Sequence, residues 1–285
     1  MQKAILRWAL IGIAVILVGP VVGWFFRLIP SIDGGSGVTP LVSLSAPAGI
    51  GFGVAGLLLA GAVGLLAARL VGYRDGLVCM GLAFSWACWS TGSVTDLVRV
   101  TGSVPVFRLA AEGAILGLVA AGLAVLIVRL ARDHDDPMAG DAPLASVSSL
   151  VAIATAALGA LVAGWVVARS ELVGQTLWAA IAGGVLGGVL ARVAQPNCSA
   201  AATTIGVPIV ATVGILVGEA LTTGGNLAQA IYAGATTPLM RIMPIDWIAG
   251  MLLGLPIGIS WGGSLVERHV HDGPGRPAGI PASGA

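Results

Sequence analysis

Long apolar runs alternate along the chain with short polar stretches rich in Arg, Pro and Gly. The hydrocarbon core of a bilayer is about 30 Å thick, and a helix needs roughly 20 predominantly apolar residues to cross it. Eight runs approach that length, of which the third and sixth are the shortest. They predict eight transmembrane helices, at about 5–26, 48–68, 76–90, 109–128, 147–168, 175–191, 201–218 and 245–266.

Composition supports this interpretation. Apolar residues make up 57% of the chain and charged residues only 9%, whereas about a quarter of a soluble domain is charged. A soluble fold would have too little polar surface to cover so many apolar side chains. The predicted fold class is therefore an all-α, polytopic integral membrane helical bundle with the lipid bilayer as its partner. The net charge of +1 argues against nucleic acid as a partner.

The first apolar run could be mistaken for a signal peptide, because Lys3 and Arg7 precede it. It is about as long as a full span and no good cleavage site follows, so we expect a retained helix. With the N-terminus inside, nine of the 14 Lys and Arg residues fall on the cytoplasmic side. Both termini are predicted to be cytoplasmic. The preference for Arg, Ala and Gly is typical of a GC-rich bacterium and suggests a bacterial inner membrane.

Several short motifs recur in the same order in the two halves of the chain. Gly23-Trp24 with Arg27 returns as Gly164-Trp165 with Arg169, and Pro105 with Arg108 returns as Pro238 with Arg241, at offsets between 123 and 141 residues overall. The pattern predicts a tandem duplication with four-helix repeats at 1–136 and 137–268, followed by a disordered cytoplasmic tail at 269–285. Four helices per copy would give both copies the same orientation, as in parallel-repeat transporters.

Glycine is too abundant, at 43 residues, to be confined to loops. The eighth run carries Gly250, Gly254, Gly258 and Gly262, one at every fourth position, and the fourth and sixth runs have similar rows. Small residues four apart let a neighbouring helix backbone approach closely. We therefore expect spans four, six and eight to be tightly packed and central.

The predicted spans lack the residues that most intramembrane cofactor and catalytic sites require. The three histidines lie in predicted connections and the sole lysine is at the N-terminus, so no span offers an imidazole to haem iron or a Schiff-base lysine. Walker and zinc-helix motifs are absent. The three cysteines have no metal-ligand spacing and are typical of small buried residues. We predict no metal and no cofactor, and the sequence favours a protein that is not an enzyme.

Acidic and arginine residues at the predicted outer face are the remaining candidates. Arg108 and Glu112 are four residues apart and could pair on one helical turn, and Arg241 and Asp246 hold the equivalent place in the second half. Glu219, at the end of span seven, is expected to be the deepest acid. These five residues are the candidate substrate-binding site, a polar vestibule. The alternative is that they are interfacial side chains that reach water and pair locally.

Three functions fit these features. The first is a small-solute or ion permease, favoured by the repeat and the outer charges. The second is a non-catalytic scaffold or subunit of a membrane complex, with homo-oligomer or membrane-complex partners, favoured by the glycine faces. The third is an intramembrane enzyme that relies on Glu, Asp and Arg alone.

Overall fold

The computed structural model describes residues 2–35, 37–131, 143–197, 199–222 and 226–271, and this part of the chain is helical without any strand. The predicted boundary between the two repeats, Cys198 and the predicted disordered tail from 272 onwards lie outside the described residues.

Ten helices form the described chain, two of them short. They are α1 Gln2–Arg27, α2 Ala46–Leu70, α3 Tyr73–Cys88, α4 Val94–Thr101, α5 Val106–Leu130, α6 Val147–Val167, α7 Val173–Ala194, α8 Ala200–Ala220, α9 Leu227–Tyr232 and α10 Pro244–His271. A π-helical turn at Ile13–Val18 interrupts α1, and 3₁₀ turns lie at Pro40–Val42 and Pro238–Arg241.

Seven of these helices are long and apolar enough to cross a membrane: α1, α2, α5, α6, α7, α8 and α10. The polytopic helical membrane bundle is thus confirmed. The predicted third span corresponds to α3, which has 16 residues and is about 24 Å long at 1.5 Å per residue. The count of eight crossings stays a prediction, and it depends on α3 alone.

Helix α3 nevertheless returns the chain from one end of the bundle to the other. Helices α2 and α5 run in the same direction, because Gly53 faces Leu116 and, further along, Gly64 faces Ile127. Helix α3 is antiparallel to α2, with Gly76 against the Gly64 carbonyl. It therefore carries the chain back from the end of α2 to the end of the bundle at which α5 begins.

The glycine row of α10 packs directly on the backbone of α7. A Cβ on Gly254 would lie 2.2 Å from the Ile181 carbonyl oxygen, and one on Gly258 would lie 2.1 Å from that of Val185. On α5, a Cβ on Gly113 would lie 2.2 Å from the Ala211 carbonyl oxygen of α8. These contacts confirm the close packing that the glycine spacing predicts.

The prediction that spans four, six and eight are central holds most clearly for the eighth. In α8 and α10, 67% of the residues in the apolar 18-residue stretch are buried, against 44% in α5 and α7 and 33–39% in α1, α2 and α6. Helix α3 is also central, with eleven of its 16 residues buried. Its short length and buried surface have one cause, since α1, α2 and α10 surround it and it faces little lipid.

Proline has a visible effect in α8. Pro208 has no N–H to donate to the carbonyl of Thr204, and the helix is interrupted at Ile205, between segments Ala200–Thr204 and Gly206–Ala220. The Cα of Pro208 faces Gly117 of α5, where a side chain would not fit. The break therefore lies at the contact between α5 and α8.

Candidate functional site

All five predicted site residues lie toward the same end of the bundle. At this end α3 and α8 finish and α5 and α10 begin, because Gly113 of α5 faces Ala211 of α8, and Cys88 of α3 lies beside Asp246 of α10. We call it the carboxylate end, since Glu112, Glu219 and Asp246 are there. The structure gives these residues very different surroundings.

Glu112 is fully buried, with 0% of its surface exposed. Its Oε2 accepts a hydrogen bond from the backbone N–H of Leu41 at 2.8 Å, and its Oε1 has no hydrogen-bond partner. Leu41 belongs to the 3₁₀ turn Pro40–Val42, in the connection between α1 and α2. A carboxylate of a long apolar helix thus holds non-helical backbone that is 71 residues away in sequence.

The α1–α2 connection, residues 28–45, folds into the bundle instead of projecting from it. Val38, Thr39 and Val42 are each at most 1% exposed. The connection closes on itself through the Leu44 N–H, which donates to the Pro30 carbonyl at 2.9 Å. The Thr39 side chain lies beside the Glu112 carboxylate, and its Oγ1 likewise has no hydrogen-bond partner. Two buried oxygens without partners therefore share one place.

The expected pair of Arg108 with Glu112 is not formed. Arg108 is exposed on the first turn of α5, whereas Glu112 faces inward to the α1–α2 connection. Sequence spacing shows that two side chains share one helix face, but it does not show whether a group from another segment binds one of them. Here the Leu41 N–H binds the Glu112 carboxylate, which therefore faces away from Arg108.

Asp246 is also buried, at 4% exposed, but it has a local structural task. Its Oδ2 accepts the N–H of Met243, the residue before the start of α10, at 3.2 Å. An acidic side chain in the first turn that bonds back to the N-cap N–H stabilises a helix start. The Cys88 thiol of α3 and the Thr176 side chain of α7 lie beside this carboxylate.

Arg241 joins two connections and does not pair with Asp246. Its guanidinium donates to the carbonyl of Arg169, in the α6–α7 connection, and to those of Gly234 and Thr236, at 3.2 and 3.3 Å. A planar guanidinium with five N–H groups suits several carbonyls at once. This contact ties the connection after α6 to the segment that precedes α10.

Glu219 is not the deepest acid. It lies in the last turn of α8 and is partly exposed, whereas Glu112 and Asp246 are both buried. The sequence overestimates its depth because the apolar run of span seven continues almost to Glu219 and contains no other charge.

Sequence reasoning misses Trp247, although it is next to Asp246. Its indole is fully buried and fills the space left by three glycines on three helices, namely Gly164 of α6, Gly183 of α7 and Gly214 of α8. Its Nε1 has no hydrogen-bond partner. Nothing in the sequence links these three glycines to one tryptophan. Nothing in it indicates either that Thr39 and Leu41 lie beside Glu112.

Among these residues, Glu112 is the strongest candidate for a functional role. A carboxylate inside a membrane helix is costly and usually marks an ion or substrate pathway, and this one has a free oxygen. Within the described residues, no three His, Cys, Asp or Glu side chains come together as a metal-binding group. No protein-family model, curated protein or solved structure matches the chain.

Proposed function

We propose that the protein is a permease for a small solute or ion, and that Glu112 is the binding residue on its pathway. The observation that supports this proposal is the full burial of Glu112, with Oε1 left without a partner. Its other oxygen meets non-helical backbone, which occurs at membrane depth where protein buries it or where it lines a cavity. Transporters often bind their ions at such interrupted segments.

The proposed division into two repeats is supported by the order and packing of the helices. Three helices, a short helix and a long helix appear in each half, as α1 to α5 and as α6 to α10. Helix α3 of the first half packs on α10 of the second, α8 packs on α5, and the short helices α4 and α9 contact each other. A pseudo-twofold axis would map the α3–α10 contact onto the α8–α5 contact and would exchange α4 with α9.

The proposed orientation places the carboxylate end outside the cytoplasm of a bacterial cell, in its inner membrane. Arg69, Arg129 and Arg192 lie in the last turns of α2, α5 and α7, at the opposite end. Cytoplasmic ends of membrane proteins carry an excess of Lys and Arg. Both termini would then be cytoplasmic.

Flux into liposomes that contain the purified full-length protein tests the permease function. An imposed potassium diffusion potential drives uptake into the vesicles. A pH-sensitive dye inside them reports the uptake of protons, and the uptake of sodium and of rubidium is measured separately for comparison. We expect uptake of at least one ion above that of protein-free vesicles, with loss in Glu112→Gln. The matched control is Glu219→Gln, which removes a partly exposed acid and should retain flux. Equal flux in the wild type, Glu112→Gln and empty vesicles would contradict the proposal.

A second candidate function, a scaffold that forms homo-oligomers, is favoured by an apolar groove on the outer face of α7. The groove has a volume of about 500 Å³ and is flanked by Trp178 and Trp261, which are 66% and 60% exposed. Ala182 is one of the residues that line it. If a second copy occupies the groove, Ala182→Trp should lower the molar mass measured by light scattering in detergent. An unchanged mass for the wild type and the variant would count against this function.

A further inference from the structure

We infer that the ion held at Glu112 is a proton and not a metal cation. This inference rests on the permease function proposed above and names the species that its binding residue takes. Three features of the Glu112 surroundings lead to it: the small number of free oxygens, the lack of a nearby opposite charge, and the position of the unpartnered Thr39 hydroxyl.

The site offers too few oxygens for a metal ion. Hard cations such as Ca²⁺ and Mg²⁺ take six or more oxygen ligands. Of the described side-chain oxygens in this place, Glu112 Oε1 and Thr39 Oγ1 lack hydrogen-bond partners, as does Ser31 Oγ elsewhere in the same connection. The nearby carbonyls already accept hydrogen bonds, that of Thr39 from the Val42 N–H at 3.0 Å and that of Pro40 from the Ser43 hydroxyl at 2.8 Å. The Leu41 N–H, which points at Oε2, would also repel a cation.

No positive side chain among the described residues compensates a charge on Glu112. On the neighbouring elements, Arg69 of α2 and Arg74 of α3 lie at the opposite end of the bundle. At the carboxylate end Asp33 of the connection is exposed, and Arg108 on the same helix is exposed too. On α8 and α10, the acids at this end are Glu219 and Asp246, the latter engaged with Met243. Because burial of an unpaired charge is very costly, the neutral carboxyl group is favoured.

A proton would also satisfy both unpartnered oxygens at once. With the proton on Oε1, the carboxyl group can donate to Thr39 Oγ1, while Oε2 keeps the hydrogen bond from Leu41. A carboxylate without the proton can instead accept from the Thr39 hydroxyl, because a hydroxyl donates as well as accepts. Its negative charge would nevertheless stay buried without an opposite charge, which costs free energy. Proton binding and release at Glu112 would therefore reverse the direction of its hydrogen bond with the α1–α2 connection.

Asp246 provides an internal comparison, because it is a second buried carboxyl group at the same end in different surroundings. It lies in the first turn of α10, where the helix dipole and the N–H of Met243 stabilise a negative charge. Glu112 is in the second turn of α5, beyond the range in which the dipole acts strongly. The helix start therefore stabilises a negative charge on Asp246, and no helix start does so for Glu112.

Labelling with dicyclohexylcarbodiimide tests the inference. This lipid-soluble reagent adds to protonated carboxyl groups in apolar surroundings, and peptide mass spectrometry locates the adduct. With the full-length protein in liposomes near pH 7, we expect stronger labelling at Glu112 than at Asp246 or Glu219. As the pH is raised, the labelling of Glu112 should fall because the protonated fraction falls. An excess of sodium or potassium should leave it unchanged.

Two results would overturn the inference. One is the absence of labelling at Glu112 throughout the pH range, and the other is protection by sodium or potassium, which would indicate a metal-ion site. Both are measured on the wild-type protein, so they do not depend on the folding of a variant. If Glu112 is labelled as expected but the liposomes show no flux, the inference stands and the permease function fails. If flux is observed and sodium protects Glu112, the permease stands and the proton is excluded.

Discussion

At the scale of single residues, position within the helix separates two acids that the sequence treats as equivalents. Asp246 stands third in α10 and bonds to the N–H that precedes the helix, so it stabilises a helix start. Glu112 stands seventh in α5, too far from the helix start for that task, and it reaches the backbone of another segment. A local structural explanation therefore exists for Asp246 and not for Glu112.

Arg241 and Arg108 form a matched pair for a test of stability. Arg241→Ala removes a guanidinium that bonds to three backbone carbonyls from two connections, whereas Arg108 is exposed. Because hydrogen bonds to a charged group contribute about 1.5–3 kcal/mol each at most, we expect Arg241→Ala to lower the thermal unfolding temperature in detergent clearly. Arg108→Ala should leave it nearly unchanged. Equal unfolding temperatures for the two variants would contradict the structural role of Arg241.

At the scale of elements, glycine decides which helices touch. The row on α10 has backbone atoms of α7 within 3 Å of where a Cβ would be at Gly250, Gly254 and Gly258, so even a methyl group would separate the helices. Other glycines have free space around them, and Gly122 on α5 has nothing within 4 Å of its Cβ position. Spacing in the sequence identifies the row, but only the fold tells a packed glycine from a free one.

Alanine at these two kinds of position should have opposite effects. Gly254→Ala places a Cβ 2.2 Å from the Ile181 carbonyl oxygen and 2.7 Å from the Val185 nitrogen, which cannot move without the helices. Overpacking of this kind costs about 1–3 kcal/mol, so the temperature at which half of the purified protein aggregates should fall. Gly122→Ala should leave this temperature unchanged or raise it, because alanine has the higher helix propensity. A fall of equal size in both variants would show that the close contact is not responsible.

At the scale of the whole molecule, α3 determines the parity of the membrane crossings. Its neighbours α2 and α5 run in the same direction, so the chain between them has to return through the bundle. It can do so with 16 residues because other helices surround it and little of it has to match the thickness of the lipid. The proposed orientation of everything after α3, and the parallel relation of the two proposed repeats, depend on this passage.

Single cysteines on either side of α3 would test the passage in intact cells. Arg69→Cys and Ser103→Cys both replace exposed residues, one before α3 and one after it. A membrane-impermeant maleimide should label Ser103→Cys from outside, but should label Arg69→Cys only after the cells are permeabilised. The wild type gives the background from the native cysteines. If both positions react from the same side, α3 does not cross, and the proposed orientation fails with it.

The sequence by itself determined the class of the protein, the location of seven long apolar helices and the glycine row of α10. These features depend on local composition and on helical spacing, since lipid requires long apolar runs whose backbone groups are satisfied internally. It also brought the five polar candidates to one end. Only the tertiary structure decided which of them are buried. The bond from Leu41 to Glu112 joins residues 71 apart, and Trp247 fits glycines from three other helices. Such contacts depend on how separate helices pack, which no spacing along one helix records.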